Sequence, residues 1–140
     1  MSNRKAVHPE LYPADPAGDP VIYAGKCAAC GYVFFPPQRY GCEACGALPE
    51  RLETAPMPAR GRLHSYATVH LYQGKDLAAP FVIGVVVLNG GPAIRATLTN
   101  RDEAGLAIGD PMRGVLVGAG TDPDGSELVE LRFAKDEARR

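Results

Sequence analysis

The sequence predicts a mainly β protein in which a small zinc ribbon precedes a five-stranded barrel. Three observations carry that expectation. The four cysteines fall in two Cys-x-x-Cys pairs, Cys27/Cys30 and Cys42/Cys45. From residue 61 onward the chain breaks into short apolar or alternating stretches bounded by Gly, Pro, Asn and Asp, the pattern of strands and turns. The 16 glycines and 13 prolines among 140 residues suit many turns and leave little room for long helices.

Residues 1–24 carry Pro9, Pro13, Pro16 and Pro20. Proline at this density removes backbone donors and blocks a helix, so an extended arm is expected, with Leu11, Tyr12, Val21, Ile22 and Tyr23 available to lie on a neighbour. Residues 25–53 form the ribbon, and 54–60, with Pro56 and Pro58, read as a linker. The barrel is expected over 61–134. Its first strand, 61–71, alternates Leu63, Ser65, Ala67, Val69 and Leu71 with His64, Tyr66, Thr68 and His70. The second, Phe81–Leu88, is apolar on both faces, as a covered strand should be. A third, 93–99, follows the tight connection Asn89-Gly90-Gly91-Pro92, and a fourth, 112–117, follows Ile108-Gly109-Asp110-Pro111. The fifth, 127–133, comes after Asp122-Pro123-Asp124-Gly125 and points Val129, Leu131 and Phe133 inward. The charged tail 135–140 is expected to fray. Five strands in roughly 75 residues suit a closed barrel, because closure removes exposed edges. An OB-type Greek-key barrel is the reading adopted here, with an SH3-like barrel as the structural alternative.

The cysteines carry the strongest chemical signal. In Cys27-Ala28-Ala29-Cys30-Gly31 and Cys42-Glu43-Ala44-Cys45-Gly46, two-residue spacing lets one tight turn aim two sulfurs at a point. The glycine after each pair can take the positive φ of such a turn. Two turns facing each other complete a tetrahedral S₄ site. Disulfides require an oxidising compartment, and no secretory signal is read at the N-terminus. A redox Cys-x-x-Cys normally occurs once, at a helix start in a βαβ pattern. One structural Zn²⁺ per chain is therefore expected, although ligand spacing alone does not separate zinc from iron. A closed S₄ site leaves no cysteine as a nucleophile.

Other classes of function find less support. The formal net charge is −1, or about −3 once four thiolates and one Zn²⁺ are counted. That is a poor balance for gripping a polyphosphate backbone. No apolar run approaches the ~20 residues of a membrane helix, so a cytoplasmic protein is expected. No nucleophile elbow, P-loop or His-rich metal motif is present, and no catalytic residue is assigned. His64 and His70 read as surface or partner-contact residues. Tyr32, Phe34, Phe35 and Tyr40 crowd a ribbon too small to bury all four, so they serve as its mini-core or face a neighbour.

The two Cys-x-x-Cys-Gly knuckles, then Gly61-Arg62-Leu63-His64-Ser65-Tyr66, Val69-His70, Pro80-Phe81 and Ile108-Gly109-Asp110, resemble the DUF35 family. That family joins a rubredoxin-like zinc ribbon to an OB-fold, and the resemblance covers residues 23–134. Many members have a longer helical N-terminus where this chain has the proline-rich arm. The resemblance implies a non-catalytic accessory subunit of a thiolase-like enzyme acting on acyl-CoA thioesters. It further implies a hetero-oligomer whose larger partner supplies the chemistry, with the CoA ester at or near the shared interface. Tyr32, Phe34, Phe35, Tyr40, His70, Tyr72 and Lys75 become candidate partner or CoA contacts, and Arg60, Arg62 and Arg101 candidate phosphate contacts. The alternative is a single-stranded nucleic-acid-binding module, which requires aromatic platforms in a basic groove; the aromatics are present, but a run of basic residues is not. A metal chaperone or redox protein is a third reading.

Overall fold

The computed structural model describes residues 4–16, 18–74, 77–89, 91–100 and 102–136. Its strands are β1 (Arg4–Ala6), β2 (Val21–Cys27), β3 (Val33–Phe34), β4 (Leu52–Pro58), β5 (Arg60–Val69), β6 (Phe81–Leu88), β7 (Ala93–Thr97), β8 (Pro111–Thr121) and β9 (Glu127–Lys135). A single 3₁₀ turn, Pro49–Arg51, precedes β4. The mainly β expectation holds.

Two sheets form. The ribbon sheet has the order β3-β2-β4, and the larger sheet β1-β9-β8-β5-β6-β7. The larger sheet closes on itself through a parallel bridge between Leu98 and Phe133, where the Thr99 N–H donates to the Phe133 carbonyl at 2.9 Å. Five strands in the order β9-β8-β5-β6-β7, sealed by a parallel contact between Leu98, just after β7, and Phe133 of β9, are an OB-type Greek-key barrel. Its core holds Phe133, Leu63, Leu98, Met112, Val82 and Val86, each 2% exposed or less.

Residues 54–60 are not a linker. β4 pairs with β2 over its full length, from Cys27↔Leu52 to Val21↔Pro58. The two prolines that suggested a break share one parity on an edge strand. The opposite parity makes the ladder bonds, as the Ala59 N–H does to the Pro20 carbonyl. Pro56 and Pro58 thus turn their missing donors to the open edge, where proline is tolerated. Ala59 is buried at 1% exposure, and β5 starts at once.

The arm is pinned rather than loose. β1 runs parallel to β9, with Ala6 opposite Val129, and the Tyr23 N–H donates to the Leu11 carbonyl at 2.7 Å. Residues 21–24 belong to the ribbon sheet. At the other end, β9 continues to Lys135, and Asp136 is buried with its carboxylate 2.5 Å from Arg60 Nη1. The expected fray thus starts no earlier than residue 137, and residues 137–140 lie outside those described.

β5 departs from the simple alternation. A bulge shifts its register on β6 between Leu63 and Ser65, so one extra residue, His64, moves the inward side from odd to even positions. Leu63 enters the core, but Ser65 and Ala67 face solvent. Tyr66 instead packs on the core cluster and donates its hydroxyl to the Leu106 carbonyl at 3.3 Å.

Gly61 shows why this strand starts as it does. A Cβ there would sit 2.1 Å from the Val87 carbonyl oxygen, a backbone atom that cannot swing away. Gly61→Ala is expected to destabilise the protein by about 1–3 kcal/mol through overpacking, read as a lower midpoint in urea unfolding with little change in slope.

Candidate metal centre

The two knuckles are built alike from their own backbone. In the first, the Gly31 N–H donates to the Cys27 carbonyl at 2.8 Å, and the Cys27 N–H to Tyr32 at 2.9 Å. In the second, the Gly46 N–H donates to Cys42 at 2.9 Å, and the Cys42 N–H to Ala47 at 3.0 Å. Gly31 and Gly46 have φ of 82° and 78°, values that a side chain would strain. The Cys45 N–H also points at Cys42 Sγ, 3.4 Å away.

The four sulfurs converge. All lie within 4.8 Å of one another, with Cys27–Cys45 at 3.8 Å and Cys30–Cys42 at 3.6 Å. A disulfide needs about 2.05 Å. A tetrahedral metal site with metal–sulfur bonds of about 2.3 Å has sulfur–sulfur edges of about 3.8 Å. The cysteines are thus positioned to bind a metal ion, with Cys27 and Cys42 buried and Cys30 and Cys45 exposed.

The electrostatics suit a cation. Backbone N–H groups of Cys45 and Ala44 help bring the Cys42 thiol down to about 7. The Ala47 amide favours a Cys45 thiolate too, but its sulfur neighbours, Cys30 foremost, and burial outweigh it and push that thiol up to about 12. The first proton leaves readily and a later one does not. A dication held by the four sulfurs would favour the thiolate form at each of them by charge neutralisation.

The four ribbon aromatics divide by task. Phe34 is buried and stacks on Tyr32 with ring centroids 5.9 Å apart. The Tyr32 hydroxyl donates to Glu43 at 2.9 Å, tying the first knuckle to the second. Glu43 was missed in the sequence; its only signal is its place between Cys42 and Cys45. Phe35 packs against the barrel core, whereas Tyr40 is 91% exposed. His70 is exposed just beyond β5, and Tyr72 packs edge-on against Phe81 at 5.1 Å. Lys75 and Arg101 lie outside the described residues. Arg60 is not free to meet a phosphate, because Asp136 and Asp19 both engage it. The Arg62 guanidinium donates to the Gly109 carbonyl at 2.9 Å. Among the described residues, no helix is long and apolar enough to cross a membrane.

Two family models match the chain: the rubredoxin-like zinc ribbon domain of ChsH2 over residues 14–49, and the C-terminal OB-fold domain of ChsH2 over residues 54–117. A DUF35 domain-containing scaffold protein of Methanothermobacter thermautotrophicus is 34% identical over 91 residues, which are 64% of this chain. They span 66% of that relative, just under two thirds of its length. A solved structure described as an Ltp2-ChsH2(DUF35) aldolase superposes with a TM-score of 0.64 at 25% identity. The match covers 81% of this chain and 83% of the other.

Elemental analysis of the purified chain is expected to return one metal ion per chain. Cys27→Ala should lose that ion and unfold the ribbon, whose metal contributes on the order of 10 kcal/mol; far-UV circular dichroism and metal content read the two effects separately.

Proposed function

Because the chain belongs to the DUF35 family, we propose that it is a non-catalytic accessory subunit of a thiolase-like enzyme complex acting on acyl-CoA thioesters. In this reading Cys27, Cys30, Cys42 and Cys45 hold one structural Zn²⁺. The chain supports assembly of the partner and the seating of its CoA ester, and a hetero-oligomer is the working state.

The observation that carries the reading is the convergence of all four cysteines of the chain at one point. A thiolate shared with a metal is no acyl acceptor, and a fully protein-ligated zinc has no open position at which to activate water. The acyl chemistry then belongs to a partner. Two similar proteins add support: one relative is a DUF35 domain-containing scaffold protein, and the similar solved structure is an Ltp2-ChsH2(DUF35) aldolase. Fold alone would not carry this step.

Co-expression with a thiolase-like enzyme of the same genome tests the proposal. A complex of fixed stoichiometry that survives gel filtration is expected, with acyl-CoA turnover in the complex and none in the isolated chain. Turnover of an acyl-CoA by the isolated chain would sink the idea, as would failure of the two proteins to associate.

A further inference from the structure

The outer face of β5–β6–β7 is an apolar sheet surface that the described residues leave partly uncovered, with Ile83 and Val85 half-buried at its centre. Strand register fixes which side chains share it. Beyond the bulge, Ser65 and Ala67 lie opposite Val85 and Ile83, which in turn lie opposite Arg95 and Thr97. Val87 stands between Arg62 and Ala93. Val87 is 38% exposed, and Ser65, Ala67 and Ala93 are exposed too. Ser65, Ala67, Ile83, Val85 and Arg95 border a shallow hollow of about 280 Å³.

We propose that this face docks the catalytic subunit, and that the subunit meets it with an apolar patch rimmed by carboxylates. The inference rests on the accessory-subunit reading above and adds where, and by what chemistry, the partner sits. Phe81 shows how the face behaves when it is covered. It lies on the same side of β6, opposite Val69, and is 5% exposed with Tyr72 edge-on against it. The chain thus covers one end of the face and leaves the rest. Leu71, next to Tyr72, is 92% exposed. Small residues beside branched ones on the open part make steps that larger partner side chains can fill, the shape of an interface core.

The charge pattern selects the partner. β5, β6 and β7 contain no carboxylate, and of their arginines Arg60 is met by Asp19 and Asp136 and Arg62 by the Gly109 carbonyl, which leaves Arg95. Among the described residues Arg95 has no ion pair, so its guanidinium is available at the edge of the hollow. A second copy of this chain, docked face to face about a twofold axis, would bring arginine to a surface holding no acid to meet it. Single-stranded nucleic acid would need exposed rings for stacking. The outward positions of β6 and β7 supply only Phe81, which is already covered.

The test uses the full chain with the co-expressed thiolase-like enzyme. Val85→Glu and Ala67→Glu each place a carboxylate at the centre of the face, where it repels the partner's carboxylates; at position 85 it also occupies Arg95 on the opposite strand. They are expected to weaken the complex about 100-fold or more while metal content and melting temperature stay near wild type. Arg95→Glu is expected to weaken it about tenfold, and to regain binding when a facing carboxylate of the partner is changed to lysine. A wild-type complex that survives both Glu variants overturns this assignment and leaves the accessory-subunit reading intact. Absence of any wild-type complex overturns the reading on which both rest. Sedimentation of the chain alone should show a monomer; a dimer abolished by Val85→Glu would give the face to a second copy and overturn the proposal.

Discussion

Thiolates repel one another, and a chain that brings four sulfurs within 4.8 Å has to answer that repulsion. The knuckle backbone makes a partial answer. Amide N–H groups lower the cost of charge at Cys42, but crowding by neighbouring sulfurs holds the Cys45 proton in place. Only a cation at the centre makes all four stable as thiolates. The amino-terminal half of the protein is arranged around that requirement. β2 ends on Cys27, the Tyr32–Glu43 bond draws the knuckles together, and Leu52 of β4 pairs opposite Cys27.

The β2–β4 ladder carries that constraint to the barrel. Its far end places Ala59 in the core and starts β5 without a spacer. Ile22, Met57 and Phe35 join the barrel cluster, so ribbon and barrel share one core. A five-stranded barrel buries modest apolar area by itself, and the shared core adds to it. The arm and the carboxyl-terminal segment are bound into the same unit by Arg60, which reaches both Asp19 and the buried Asp136. A buried carboxylate held this way is costly to strip of its partner, so this arginine serves the architecture.

That division shapes what the described surface presents. Arg60 and Arg62 are both engaged within the chain, while the outer barrel face is mostly small or branched apolar side chains. Of the aromatics read as contact candidates, Phe34 and Phe35 are committed to packing inside the protein. Tyr32 is 38% exposed, Tyr40 91% and Tyr72 42%.

The knuckles and most barrel strands were legible in the sequence because their signals are local. Two-residue cysteine spacing with a following glycine specifies a turn, and Phe81–Leu88 and the start of β9 announce themselves by apolar runs and flanking Asp, Pro and Gly. Pairings between distant segments were not legible. The parallel seam of Leu98 on Phe133, the docking of β1 on β9, and the use of Pro56 and Pro58 on an edge strand each depend on a neighbour far away in sequence. The bulge at His64 is the sharpest case: alternation along β5 is real on both sides of it, yet one unpaired residue exchanges inside for outside. Residue chemistry by itself determined which atoms can hold a metal. Tertiary structure decided which apolar side chains are spent inside and which stay exposed, because burial belongs to the packed assembly of segments and not to any one of them.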